Sequence, residues 1–440
     1  MSSGPLRSRY HLVTFGCQMN EYDSGLVAEM LESAGARPVE TPDEADLIVV
    51  NTCSVRAKAD ETVFRTISNY ACLKKRNPLL RIAVIGCMAQ AHGQAIRDRA
   101  PYVDFVLGPD RYLLMPRLLE DGADALEPVQ TAFDRMENYQ GLDAKPATPF
   151  SAMVAVQRGC NHRCSYCIVP YTRGPEKYRA AGDVVRECRR AVERGAVEIL
   201  LLGQTVNGWR EGTERFSGLL RALCEIDGLR RIRFTSPHPI HFGDDLVETI
   251  AREEKICKHV HLPMQSGSTR VLREMRRTYT RERYLDTVRR LRAATPEIAL
   301  TTDLIAGFPS ETEEEFRETL SAMEEIRFDG AFLFAYSERP GTDAATMPGA
   351  VPEEERQKRL RRMIDLQNAI TEEKARAQIG RVEELLLERP SRRDPAMMLG
   401  RTDGFRKVLV PKALGNPGEF VRAKLTGISG WTLLGERADA

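Results

Sequence analysis

The chain has 440 residues, of which 42% are hydrophobic and 29% charged, with a formal net charge of +1. That length supports two or three domains around sizeable cores, and the composition is that of a soluble globular protein. Apolar runs such as Leu47–Val50 and Ile199–Leu202 are strand-length, too short to span a bilayer. The opening MSSGPLRSRYHLV lacks an apolar signal region followed by a small-residue cleavage site. A cytoplasmic protein without membrane association is expected, and there 10 cysteines favour metal or redox chemistry over structural disulfides. The balanced charge neither demands nor excludes nucleic acid, so any RNA surface must come from uneven charge distribution.

The first third alternates strand and helix patterns. Strands are predicted near His11–Phe15, Asp46–Asn51, Arg81–Gly86 and Asp104–Leu107, with helices around Ser24–Ala34, Ala57–Tyr70 and Gln90–Ala100 between them. Such alternation predicts an α/β domain with a small doubly wound parallel sheet. The polar stretch from Asp121 to Phe150, with Pro128, Pro146 and Pro149, reads as a linker.

A second alternating series follows, with strands near Met153–Val156, Glu198–Leu202, Arg231–Thr235, His259–Leu262, Ala299–Ile305 and Ala331–Ala335. Helical patterns at Asp183–Arg194, Arg281–Ala294 and Glu311–Ile326 lie between strands, and Glu353–Gln378 reads as a long closing helix. Six βα-like units predict a partial, TIM-like (β/α)6 barrel, whose functional groups belong at the carboxyl ends of the strands. After Gly380 the pattern changes to five short strands with Gly and Pro turns: Arg381–Glu388, Met397–Arg401, Lys407–Val410, Phe420–Leu425 and Thr432–Leu434. These predict a small OB-like β-barrel. The expected domains are 8–125, 146–378 and 379–440.

Cys160, Cys164 and Cys167 form a C-x3-C-x2-C triplet directly after the first strand of the central series. Three thiolates on one loop can hold three corners of a cuboidal iron–sulfur cluster. With no fourth cysteine at matching spacing, one iron is left open for a small molecule, as in catalytic metal sites. The alternatives are a zinc knuckle or incidental cysteines. Zinc sites usually pair two C-x2-C or C/H halves, and no second half follows.

Cys17, Cys53 and Cys87 each close a predicted strand, in HLVTFGC, ADLIVVNTC and RIAVIGC. In a parallel sheet the carboxyl ends of neighbouring strands lie side by side, so residues one βα unit apart can converge on one edge. Gly16 and Gly86 permit tight turns before two of them, and Asn20 and Asn51 are candidate supporting residues. The alternative is three small buried residues, since free cysteine is commonly buried. Equivalent placement at three strand ends favours a metal or cluster site. Cys72, Cys188, Cys224 and Cys257 lack convergent placement and read as ordinary helix or core residues. His238, His241 and His261 lack ligand-spaced partners and read as solvated or hydrogen-bonded histidines.

The triplet, with Tyr166 between its last two cysteines, resembles the radical S-adenosylmethionine (SAM) superfamily. The resemblance narrows through TFGCQMNEYDS (Thr14–Ser24), NTCSVRAKA (Asn51–Ala59), GCMAQ (Gly86–Gln90) and YCIVPYTRG (Tyr166–Gly174). HLPMQSGS (His261–Ser268), DLIAGFPSET (Asp303–Thr312) and YSERPGT (Tyr336–Thr342) extend it. Together these are similar to the methylthiotransferase family, MiaB type, over essentially the whole chain, including a C-terminal domain resembling TRAM RNA-binding modules. Two sister branches share this architecture, one acting on threonylcarbamoyl-adenosine in tRNA and one on a ribosomal-protein aspartate. Gln18-Met19-Asn20, Cys53-Ser54-Val55-Arg56 and Ile168-Val169-Pro170-Tyr171 side with the MiaB branch. The chain departs from the family wording at Gln204–Trp209 and Arg173–Arg179, which bears on substrate contacts and not on a cysteine.

The resemblance implies two 4Fe-4S clusters, one on each cysteine trio, and SAM as the second cofactor. It implies that N6-(dimethylallyl)adenosine beside the anticodon becomes its 2-methylthio derivative. C2 of adenine carries an unreactive carbon–hydrogen bond, and a 5′-deoxyadenosyl radical would activate it. The sulfur would be held at the N-terminal cluster. Implied partners are the tRNA anticodon stem-loop and an electron donor such as flavodoxin or ferredoxin, with the enzyme a monomer. Tyr166, Gly203, Gln204, Gln265, Asp303 and Tyr336 are the candidate SAM contacts. RNA contact should fall on residues 380–440, which carry 11 Lys and Arg against 8 Asp and Glu. There Arg392, Arg393, Arg401, Arg406, Lys407, Arg422 and Lys424 are candidates for phosphates, and Phe405 or Trp431 for base stacking. The target base would have to leave its stack to enter the barrel.

Overall fold

The computed structural model describes residues 8–54, 57–120 and 123–438. Of the residues discussed above, the opening Met1–Arg7, Val55 and Arg56 of the second motif, Asp121 and the final Ala440 lie outside these.

The N-terminal unit is a six-stranded parallel sheet in the spatial order Arg37–Pro38, Arg9–Thr14, Leu47–Thr52, Arg81–Gly86, Phe105–Leu107 and Val129–Gln130. Every residue of Leu47–Thr52 is buried, as expected of a central strand covered on both faces. One face packs on helix Gln18–Ser33 and the other on Ala57–Arg76, and each layer has its own apolar core. Leu26 and Val27 on the first helix are fully buried, each worth roughly 1.5–3 kcal/mol relative to exposure. The fold class is therefore the one the alternation predicts, with three local differences.

Helix Gln18–Ser33 starts six residues earlier than its apolar periodicity suggests. Its first turns bury Asn20, Asp23 and Ser24, and polar residues on a buried face hide a helix start. The predicted helix 90–100 is two short helices, Cys87–His92 and Gln94–Arg99, broken at Gly93 with φ +47°. Of the predicted linker 121–150, the described part, 123–150, is also not free. Val129–Gln130 adds the sixth strand, and Tyr139 and Asp143 are buried.

The central unit is a six-stranded, all-parallel partial barrel. Strands Ser151–Ala155, Glu198–Leu202 and Arg231–Phe234 form one half, and His259–His261, Ala299–Ala306 and Gly330–Ala335 the other. The bridge Ile232–Ile256 joins the two halves, which also share one apolar core. Ile232 and Phe234 join the outer core beneath the helices, whereas Arg231 and Arg233 alternate to the inner face. Helix Glu313–Ile326 opens with a capping box between Thr312 and Glu315. The long helix Glu353–Arg376 leads to a closed five-stranded barrel, Val382–Pro390, Met397–Arg401, Lys407–Pro411, Thr432–Arg437 and Phe420–Ser429.

Both outer units are anchored to the central one. The N-terminal core continues into Ala155 and Leu202 of the first two barrel strands. At the other end Arg231 donates to the carbonyls of Arg401 and Glu384, and Arg233 to those of Thr402 and Asp403, at 2.8–2.9 Å.

Candidate functional site

The three cysteine-bearing strands of the N-terminal sheet are adjacent, with Thr14 opposite Asn51 and Thr52 opposite Gly86. Their carboxyl ends therefore bring Cys17, Cys53 and Cys87 to one edge. Gly16 has φ +132°, and a Cβ there would fall 2.7 Å from the Cys53 Cβ; at Gly86, φ +95°, it would fall 2.5 Å from Asn51 Oδ1. Only glycine allows this close approach. Asn20 Nδ2 donates to Asn51 Oδ1 and the Thr52 carbonyl, and Thr52 Oγ1 donates to the Ile85 carbonyl. These bonds stitch the three strand ends together. Hydrogen bonding with Cys53 and the nearby Arg173 guanidinium lower the Cys17 thiol to about 6.

The triplet loop leaves the first barrel strand and is pinned on both sides. Gln157 Oε1 accepts from the Gln204 and Thr205 amides at 2.7 and 3.0 Å, and its Nε2 donates to the Gly159 carbonyl. Gln204 Oε1 accepts from the Gly159 amide at 2.5 Å. Across the loop, Ser165 Oγ donates to the Glu274 carbonyl at 2.7 Å. Cys160 Sγ lies 3.7 Å from Thr205 Oγ1, and Arg277 Nη1 donates to Cys164 Sγ at 3.4 Å. Burial pushes the Cys160 thiol up and the Cys167 thiol to about 12. Such thiols become thiolates when a cation binds them. Among the described residues, no three His, Cys, Asp or Glu side chains converge tightly enough to hold a single metal ion. A zinc knuckle would draw its sulfurs to about 2.3 Å of one point. Three thiols on one loop are the chemical donor set of a sulfur-ligated cluster.

Five of the six cysteines face one chamber, while Cys53 is buried beside Cys17 and is not among the chamber's lining residues. This chamber of 340 Å³ is lined by Cys17 and Cys87 from one side and by Cys160, Cys164 and Cys167 from the other. Gly203, Gln204, Gln265, Asp303 and Tyr166 complete its wall. Tyr336 lies outside it, in an adjoining 320 Å³ cavity that shares Tyr166, Cys167, Gln265 and Asp303. Gln265 holds φ +72°, locked by its amide donating to the Asp303 carbonyl and by its carbonyl accepting from Ile305. A Cβ on Gly203 would fall 2.8 Å from Gln157 Oε1. The Gly203–Gln204 turn thus holds the cysteine loop as well as lining the chamber. Asp303 meets His261 Nε2 at 3.3 Å. Cys188, Cys224 and Cys257 are buried and Cys72 is exposed on its helix, all away from the chamber lining.

Sequence patterns passed over four charged residues at this site: Asp23, Arg158, Arg173 and Arg277. Asp23 is fully buried and pairs with Arg158 at 2.9 Å and Arg173 at 2.5 Å. Arg173 also donates through Nε to Cys87 Sγ at 3.0 Å. The available signal was Asn20, Asp23 and Ser24, polar residues at the i, i+3 and i+4 positions of a helix face that is buried. His238 is buried and stacks on His162, with ring centroids 4.1 Å apart. Its Nδ1 accepts from the Ile240 amide, so the hydrogen-bonded reading holds for this histidine.

A second groove, of 680 Å³, starts at Gln18 beside Cys17 and follows Leu200, Arg233, His259 and His261 to Phe405, Lys407 and Trp431 of the C-terminal barrel. Trp431 is 56% exposed, but Phe405 packs against His259 and beneath Arg401. Arg401 and Arg406 pair with Glu388 and Asp329 at 2.5 Å, so neither presents a free charge. Arg392, Arg393, Lys407, Arg422 and Lys424 are exposed.

Three family models match the chain: an uncharacterized protein family, UPF0004, over residues 9–108; the radical SAM superfamily over 154–323; and the TRAM domain over 376–437. The tRNA-2-methylthio-N(6)-dimethylallyladenosine synthase of Moorella thermoacetica is 43% identical over 98% of this chain and 99% of that protein. The protein of the same name from Chlorobium luteolum is 43% identical over 98% of each chain. Among solved structures, the radical S-adenosylmethionine methyltransferase TsrM from Kitasatospora setae, with cobalamin and a 4Fe-4S cluster bound, superimposes with TM-score 0.59. It covers 77% of each chain at 14% identity, a likeness of fold alone. Identity above 40% along nearly the whole length settles the membership: this chain belongs to the tRNA-2-methylthio-N(6)-dimethylallyladenosine synthase family, radical SAM enzymes that carry a TRAM domain.

Proposed function

We propose that the protein is a tRNA methylthiotransferase that converts N6-(dimethylallyl)adenosine beside the anticodon to its 2-methylthio derivative. The observation that carries this reading is the single chamber lined by cysteines of both trios. It allows a sulfur held on one side to reach a carbon activated on the other. Cys160, Cys164 and Cys167 would hold one 4Fe-4S cluster, and Cys17, Cys53 and Cys87 a second. Such clusters with SAM supply one-electron cleavage and sulfur transfer, chemistry that acid–base side chains lack.

The chain's own residues position and shield. Gln157 and Gln204 fix the triplet loop, and Arg277 places a positive charge against Cys164. Tyr166, Gln265 and Asp303, which line both cavities, and Tyr336 in the second, would contact SAM, with Gly203 and Gln204 shaping the wall. The 680 Å³ groove from the TRAM barrel to Gln18 suits a flipped nucleotide of the anticodon stem-loop. The domains would run 146–378 and 379–440 for the second and third, and the first would extend from residue 8 past the expected boundary at 125 to include its sixth strand, Val129–Gln130. No helix among the described residues is long and apolar enough to cross a membrane. The enzyme would act in the cytoplasm as a monomer, reduced by a flavodoxin or ferredoxin type of carrier.

Anaerobic reconstitution with iron and sulfide counting tests the reading. About eight irons per chain are expected, falling to about four in Cys17→Ala. Mass spectrometry of tRNA bearing either dimethylallyl- or threonylcarbamoyl-adenosine should find the methylthio group only on the former. An iron count unmoved by Cys17→Ala, or product only on the latter, overturns it.

A further inference from the structure

Asp23, Arg158 and Arg173 form a buried set with two guanidiniums and one carboxylate. Their side chains are 0%, 2% and 4% exposed. Arg158 Nη1 lies 2.9 Å from Asp23 Oδ1 without hydrogen-bond alignment, and its Nη2 has no partner. Arg173 Nη1 donates to Asp23 Oδ2 at 2.5 Å, and Tyr112 donates its hydroxyl to the same oxygen at 3.2 Å. Among the described residues, no other carboxylate pairs with either arginine. One positive charge is therefore buried without a counter-ion, which is strongly destabilising unless an anion completes the set. The remaining face of Arg173 shows where that anion belongs: Nε donates to Cys87 Sγ at 3.0 Å.

Arg173 follows the triplet, six residues after Cys167, yet its charge is delivered to a cysteine of the N-terminal trio. We propose that Arg173 is the built-in counter-charge of the N-terminal iron–sulfur site, donated across the domain boundary. It raises that site's reduction potential and couples its filling to the docking of the two domains. The inference rests on the reading that Cys17, Cys53 and Cys87 hold a cluster. Arg173 is a positioning residue, acting through the Cys87 sulfur. Net charge and hydrogen bonds to sulfur are the levers by which a protein sets such potentials. A positive charge favours the reduced, more negative state.

The test is an EPR-monitored redox titration of the full-length, anaerobically reconstituted protein with dithionite as reductant, comparing wild type, Arg173→Gln and Arg173→Lys. Arg173→Gln should lower the potential of the N-terminal cluster by at least tenfold in its reduced-to-oxidised ratio, 59 mV for one electron. The triplet cluster should stay within a third of that shift. Arg173→Lys, which keeps the charge but not the fork, should move the potential less. Loss of about half the iron from a folded Arg173→Gln protein also supports the proposal. Should that variant fail to fold, Arg158→Gln removes the same unit of charge without touching the Cys87 contact, and the N-terminal potential must still fall. Two intact clusters with unmoved potentials overturn the inference alone. A wild type holding only one cluster overturns instead the reading it rests on.

Discussion

Asn20 and Asn51 clasp each other across the N-terminal cysteine edge: Asn20 Nδ2 donates to Asn51 Oδ1 at 3.0 Å, and Asn51 Nδ2 returns a bond to the Asn20 carbonyl at 2.8 Å. Both are fully buried. One sits on the helix that Cys17 opens and the other two residues before Cys53, so the pair sets the spacing of two cysteines. Truncation would strand several buried polar atoms, since Asn51 Nδ2 also serves Ser24 Oγ at 2.9 Å.

Asn51→Ala should therefore destabilise the protein by about 1–3 kcal/mol. It should also lower iron content toward that of a one-cluster protein. Urea unfolding and iron counting check both parts. A variant of wild-type stability carrying full iron would show that the clasp does not hold the cysteines in place.

The clasp also marks where the sequence stops being legible. Strands such as Leu47–Thr52 and Arg81–Gly86 are apolar runs whose burial follows from their composition, and glycines before Cys17 and Cys87 announce the turns. The six cysteines stand out because strand ends and loop spacing are local patterns. Asp23, Arg158 and Arg173 do not, because a buried charge and a solvated one look alike until the partner is known. Arg173 lies 150 residues from Asp23 in the chain. Val129–Gln130 was invisible for another reason: two residues carry no periodicity, and only the neighbouring strand makes them part of a sheet. Arg401 and Arg406 read as free phosphate ligands because Glu388 and Asp329 reach them only after folding.

Asp329 joins all the parts at that end. It is 4% exposed and receives Lys374 Nζ at 2.7 Å from the long helix and Arg406 at 2.5 Å from the TRAM barrel. Its Oδ2 also accepts the Leu300 amide at 3.0 Å. Both cations are about a quarter exposed, so solvent recovers part of what a lost pair would cost. Asp329→Asn should destabilise by about 1–3 kcal/mol and open the TRAM barrel to limited proteolysis before the rest of the chain. Unchanged proteolysis would place the anchorage elsewhere, on the Arg231 and Arg233 bonds.

His259 gives the interface a pH dependence. Burial, reinforced by Arg233, holds its imidazole well below the usual range, and Nε2 lies 3.0 Å from Thr301 Oγ1. The folded protein keeps this ring neutral, whereas the unfolded chain protonates it near pH 6.5. Stability from this group is fully present above pH 6.5 and is lost as pH falls, by about 1.4 kcal/mol per unit. Urea titrations between pH 6.5 and 5 should show that slope reduced in His259→Gln. Parallel slopes in the two proteins would remove His259 from the acid sensitivity.

Trp431 and Lys407 flank the mouth of the groove that leads toward Cys17, and they should fail in different ways. The exposed indole offers a stacking face, worth about 1–3 kcal/mol per base, so Trp431→Ala should weaken anticodon stem-loop binding roughly 5- to 150-fold. A lysine meeting one phosphate contributes mainly through released counter-ions. Lys407→Ala should reduce the slope of log affinity against log salt by about one unit. Arg406→Ala is the contrasting control: its charge is spent on Asp329, so its effect should appear in stability with the salt slope nearly unchanged. Fluorescence anisotropy across a salt series distinguishes the three. Identical binding by Trp431→Ala and wild type would move RNA entry away from this groove.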